Sequence, residues 1–197
     1  MTRPASVSSG ALLLFSALYF FGGLDYLIGF LTAVAVHEMG HITIIKLCGG
    51  KVRRISVNIL GVVIDYYSIN DFISELFCIA AGPAAGFALS YAASLLGNFY
   101  SNKLFLTTSG ISLLLSIYNL LPIYPLDGGR FVNAILKLKL SEAKAEQTVS
   151  TIGRIISFAM IISGIISIKQ NYGLALLFAG ICTLSVQTGI VKNQSVL

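Results

Sequence analysis

From Tyr26 to Leu47 the chain is an apolar run of spanning length, yet it carries His37-Glu38-Met39-Gly40-His41 in its later half. Few folds tolerate that combination, because ionisable groups in an apolar spanning segment are costly and mark a function. In a helix, residues four apart stand one turn above each other, so both imidazoles leave the same face. Two neutral imidazole nitrogens on one face suit zinc, which takes four ligands tetrahedrally. Glu38 sits beside the first histidine, near the open coordination position, where it can take a proton from water. That is the mechanical content of an HExxH helix in a metalloprotease. The chain has 2 histidines and both lie in the motif. This weakens the alternative of a polar patch satisfied within a helical bundle.

The surroundings fit a membrane setting. Charged residues make up 11% of the 197 and apolar residues 56%, against about 25% charged in a soluble domain. The expected fold class is an all-α polytopic membrane protein with about six transmembrane helices. Residues 1–197 are expected to form a single integral-membrane domain without linkers or repeats. Cys48, Cys78 and Cys182 are scattered among apolar residues; they suit small hydrophobic fillers better than a disulfide or ligand pattern. Arg3 and the apolar run from Ala11 resemble a signal peptide, but no small-residue cleavage site ends the run. It is read as a retained first span.

Spans are expected at residues 8–22, 26–47, 74–97, 104–121, 152–168 and 172–190, with Gly22-Gly23-Leu24-Asp25 breaking the first from the second. Residues 51–67 are β-branched and partly alternating, with Gly61 as a turn or bulge. They predict one or two short strands at the membrane edge. Such an edge can pair with an extended peptide, and Asn58, Ile59, Leu60 and Gly61 are the candidate substrate-binding residues; a plain connecting hairpin fits the same residues. Ala81-Gly82-Pro83-Ala84-Ala85-Gly86 supplies small residues for close helix packing, or a backbone facing the site. Pro83 would kink this helix unless near its start.

The fourth span ends in Asn119-Leu120-Leu121-Pro122-Ile123-Tyr124-Pro125-Leu126-Asp127-Gly128. Two prolines three apart stop a regular helix, and irregular backbone at membrane depth is tolerated only when buried in protein or lining a wet cavity. A third metal ligand is the economical reason for Asp127. A helix at about 129–138 and a polar stretch at 141–148 follow.

With Arg3 inside, six spans place Lys46, Lys51, Arg53, Arg54, Arg130, Lys137, Lys139, Lys144, Arg154 and Lys192 on the same side. Only Lys103 and Lys169 fall opposite. The positive-inside rule then puts both termini and the site opening in the cytoplasm. It also accounts for the net charge of +5 without nucleic acid.

The HExxH motif on an early span, with Asn119-x-x-Pro122-x-x-Pro125-Leu126-Asp127-Gly128 on a later one, resembles the site-2 protease family of intramembrane zinc metalloproteases. The resemblance implies that His37, His41 and Asp127 hold Zn2+, that Glu38 activates water, and that Asn119 positions the substrate backbone. Gly82-Pro83 and Gly86 resemble the family's glycine-rich element. No inserted PDZ-like domain or C-terminal regulatory domain is evident, so the layout resembles a minimal member, nearest the sporulation-type branch. The implied partners are a membrane-spanning or membrane-associated protein substrate, the lipid bilayer, and a membrane regulator as a further candidate.

Two other readings stay open. In a divalent-metal transporter the same ligands would serve transit, although such proteins show repeat symmetry with broken helices in both halves, and only one broken element is evident. A non-catalytic zinc-binding membrane protein would want a fourth protein ligand, and no cysteine has suitable spacing.

Overall fold

The computed structural model describes residues 6–7, 9–58, 61–69, 71–169 and 173–194. Its elements are β1 (Ser6–Val7), α1 (Ser9–Leu47), β2 (Lys51–Asn58), β3 (Gly61–Tyr67), α2 (Phe72–Tyr100), α3 (Lys103–Asn119), α4 (Asp127–Lys137), α5 (Glu142–Ile166) and α6 (Gly173–Gln194). Residues Met1–Leu120 and Leu121–Leu197 form two compact units.

In the first unit, the two helices expected before residue 48 run together as α1. The expected break survives as a kink at Gly23, whose φ of 76° and ψ of −171° are non-helical and open to a residue without Cβ. The 26 residues from Gly22 to Leu47 extend about 39 Å at 1.5 Å per residue, enough for a hydrocarbon core of about 30 Å. The helix is capped just after Leu47, with Gly49 at φ +77° and Gly50 N donating to Ile45 O at 2.8 Å. This left-handed cap satisfies carbonyls that the last turn would leave open.

The expected strands form an antiparallel hairpin, with an irregularity between Val52 and Arg54. Gly61 does not sit in the turn; it opens β3 and pairs with Asn58, and Ile59 and Leu60 lie outside the described residues. β1 adds a short parallel strand on the other side of β2. The hairpin is seated on the helices through Ile64, which is buried with Ile45 and Cys78, with Val52 and Tyr66 packed alongside.

Helix α2 starts at Asp71, whose Oδ2 accepts from Ser74 N and Ser74 Oγ, each at 2.9 Å. Those bonds, the backbone one foremost, hold the Asp71 carboxyl below its ordinary value of 3.8. Asn102 caps α3 in the same manner through Leu104 N at 2.9 Å. The two helices meet along a seam of small residues. Ser90 and Ser109 each donate to the other's carbonyl, at 2.9 and 2.8 Å, and Ser112 Oγ donates to Gly86 O at 2.9 Å. These bonds satisfy hydroxyls where the apolar surroundings offer no water.

In the second unit, α4 follows the proline segment as expected. The polar stretch at 141–148 is helical, however, and opens α5. Ala145 and Val149, four apart, are both buried, so a core-facing stripe runs through residues whose other positions are polar. Lys137 Nζ lies 2.6 Å from Glu142 Oε1 across the α4–α5 connection. Helices α5 and α6 close through Gly164 against Leu177 and Gly180 against Ile161.

Among the described residues, three helices are long and apolar enough to cross a membrane: Gly22–Leu47, Phe72–Tyr100 and Glu142–Ile166. The apolar part of α6, Gly173–Ser185, and the 17-residue α3 are shorter. The chain is a helical membrane protein with a small sheet.

Candidate metal centre

His37 and His41 occupy adjacent turns of α1, and both are buried, at 3% and 6% exposure. Their Nε2 atoms are 3.3 Å apart. Two nitrogens bound to one tetrahedral zinc at about 2.0–2.1 Å stand about 3.3–3.4 Å apart by geometry alone. The pair is thus spaced for one ion, and the rings stand nearly perpendicular, at 79°.

The tautomer of His41 follows from its partner. His41 Nδ1 lies 2.7 Å from the Cys78 carbonyl oxygen on α2. A carbonyl only accepts, so Nδ1 carries the proton and Nε2 keeps its lone pair for a metal. A bond of this kind fixes ring orientation and raises ligand basicity. No sequence signal announces it, because the acceptor is backbone; only the two residue numbers, 37 apart in the chain, are visible beforehand.

Gly82 explains how α2 comes so close. A Cβ there would meet His41 Nε2 at 2.1 Å and Cε1 at 2.5 Å, and one on Gly40 would meet Ala81 O at 2.5 Å. The small residues of 81–86 therefore do both things considered for them: they bring helices into backbone contact and leave room for the histidine ring. Pro83 is buried inside α2. It lies in the turn following Cys78 and withholds the amide that would otherwise bond four residues back.

Asp127 is the first residue of α4 and is 7% exposed. A carboxylate there is favoured by the helix N-terminus. Pro122 and Pro125 precede it in an irregular segment whose internal bonds are Ile123 N to Leu121 O, 2.7 Å, and Leu126 N to Ile123 O, 2.8 Å. His37 and His41, buried in the first unit, and Asp127, buried in the second, are the three candidate metal donors. Two imidazoles and a carboxylate, with no sulfur, match the donor types of a catalytic zinc site that keeps its fourth position open.

Glu38 is half-buried and next in sequence to His37. Asn119 ends α3 and donates from Nδ2 to Leu115 O at 3.0 Å, back along its own helix; it is not in the donor set. Of the hairpin residues named above, Asn58 and Gly61 pair with each other.

A model of peptidase family M50 matches residues 98–162. A zinc metalloprotease of Methanocaldococcus jannaschii is 30% identical over 142 residues, covering 70% of this chain and 42% of that one. Over these stretches the chain is similar to peptidase family M50. Stage IV sporulation protein FB of Bacillus subtilis is 29% identical over 133 residues, 64% of this chain and 45% of that protein. The chain thus spans less than half the length of these curated relatives. In fold, the chain is similar to the site-2 protease from Methanocaldococcus jannaschii, with a TM-score of 0.78, 24% identity, and coverage of 96% and 91% of the two chains.

Proposed function

We propose that the chain is a zinc-dependent endopeptidase that hydrolyses a peptide bond in, or at the edge of, a transmembrane segment of a membrane-protein substrate. The observation that carries this reading is the buried His37–His41 pair, its Nε2 atoms 3.3 Å apart, with the His41 lone pair turned to Nε2 by the Cys78 carbonyl; Asp127 is the proposed third donor. These three residues would hold the ion. Zinc, when bound, supplies Lewis acidity that polarises the scissile carbonyl and makes water a competent nucleophile near neutral pH.

The chain's own groups supply the rest. Glu38 takes a proton from the attacking water and later delivers it to the leaving amine nitrogen, so one carboxylate serves as base and then as acid. The C–N bond breaks, and the fragments leave as a carboxylate and an amine. Asn119 orients the substrate backbone, once its amide lets go of Leu115 O. A helical substrate must unwind to expose its carbonyl. Strand β3 offers main-chain partners to the unwound stretch, with Asn58, Ile59, Leu60 and Gly61 as the proposed substrate-binding residues. Strand β2 has neighbours on both sides, which supports β3 as the edge used. The basic residues put the site opening and both termini in the cytoplasm. A membrane regulator is a further proposed partner.

The test is cleavage of a panel of single-span substrates in detergent by the wild type and by Glu38→Gln, with zinc measured in both. Activity should fall by about 10²–10⁴-fold while zinc is retained. Equal cleavage by both proteins would remove Glu38 from the chemistry. Zinc retained with no cleavage of any substrate by the wild type would favour a binding or transport role.

A further inference from the structure

Gln187 is a long polar side chain fully buried between α5 and α6, at 0% exposure. Burying a carboxamide is costly unless it is bonded, and this one has a single strong bond. Its Nε2 donates to the carbonyl of Tyr124 at 2.6 Å, across 63 residues of sequence. Its Oε1 has no partner among the described residues. Room for the amide exists because residue 153 is a glycine: a Cβ there would stand 2.6 Å from Nε2 and 3.0 Å from Cδ.

The target of this bond is what gives it meaning. Tyr124 lies in the segment that delivers Asp127, and that segment has few bonds of its own. Pro122 and Pro125 contribute no amide hydrogens. The first turn of α4 rests directly on the same backbone, since a Cβ on Gly129 would meet Ile123 C at 2.4 Å and Tyr124 N at 2.5 Å. A continuous chain of contacts therefore runs from Gln187 to the Tyr124 peptide, to Gly129, and to the helical turn that carries Asp127.

We propose that Gln187 is a positioning residue for the metal centre, fixing the 122–127 segment so that the Asp127 carboxylate is held ready for the ion. The proposal rests on Asp127 being a ligand. Gln187 does not touch the site. It acts through the backbone, and Gly153 is the complementary position that lets it do so.

Zinc affinity of the full chain in detergent, read by competition with a chelator, tests this alongside thermal unfolding of the metal-free protein. Gln187→Leu should bind zinc about tenfold more weakly. Gly153→Ala, which keeps every polar group but crowds the amide off Tyr124 O, should weaken it in the same direction. Thr183→Val is the control. Thr183 Oγ1 accepts from Ser157 Oγ at 2.8 Å in the same seam, so its loss should lower the melting temperature and leave zinc affinity unchanged. Wild-type affinity in both Gln187→Leu and Gly153→Ala would overturn the proposal, as would an equal loss in Thr183→Val. Asp127→Ala separates the two levels: weak zinc there with normal affinity in Gln187→Leu removes only the positioning role. Wild-type affinity in Asp127→Ala removes the ligand reading and the proposal together.

Discussion

Replacing Gly82 by alanine is the sharpest perturbation of the centre that leaves every ligand in place. The new methyl carbon would lie 2.1 Å from His41 Nε2, 2.5 Å from Cε1 and 2.7 Å from Cδ2, where ordinary contact starts at 3.4 Å. One side must give by about 1.3 Å, while metal–ligand distances tolerate about 0.2 Å. Swinging the ring aside sacrifices the 2.7 Å bond from Nδ1 to Cys78 O. Parting the helices instead opens the backbone contact of Gly40 with Ala81, and such overpacking costs about 1–3 kcal/mol. Either route misplaces Nε2. Loss of an orienting contact costs about 10–100-fold in metal affinity, and displacing the ligand atom itself belongs at the upper end, about 2.7 kcal/mol. Chelator competition on wild type and Gly82→Ala reads this directly. Affinity within about threefold of wild type, in a folded variant, would mean that the ring does not depend on the space at residue 82.

Gly110 is the counter-case: among the described residues, nothing lies within 4 Å of a Cβ there. Gly110→Ala in α3 should leave zinc binding unchanged and raise stability by about 0.5–1 kcal/mol, measured by thermal unfolding. Asp71 sets an acid dependence. Its pKa is lowered by Ser74 N and then Ser74 Oγ, so the folded chain holds this proton less tightly than the unfolded one. The capping contribution is whole above the ordinary value of 3.8 and is lost as pH falls from there through the lowered native value. Asp71→Ala should therefore melt below wild type near neutral pH, and the gap should close in acid.

Much of the centre was legible in the sequence because its chemistry resides in side chains at helical spacing. His37, Glu38 and His41 declare a site by type and period, and Asp127 by following prolines that halt a helix. What supports them was not legible, because the supports are backbone atoms and missing atoms. The Cys78 carbonyl and the room at Gly153 have no signal in the sequence, and the small residues of 81–86 announce close packing without saying that the His41 ring takes the space at Gly82. Gln187 sits in a run where nothing local points to Tyr124. The start of α5 was hidden for a different reason: Ser141 to Thr148 is polar on every side except the stripe of Ala145 and Val149, too sparse to declare a buried face. Gly61 suits a turn or a bulge by residue type alone, and its place at the start of β3, paired with Asn58, follows from strand pairing that no single residue announces.

A single zinc should be held by two imidazoles and a carboxylate. Zinc X-ray absorption on the purified chain in detergent tests it most directly. The expected result is one zinc per chain with nitrogen and oxygen neighbours at about 2.0–2.2 Å and no sulfur, collapsing to sub-stoichiometric metal in His37→Ala. A sulfur shell near about 2.3 Å, from Cys48, Cys78 or Cys182, or full zinc occupancy without His37, would contradict it.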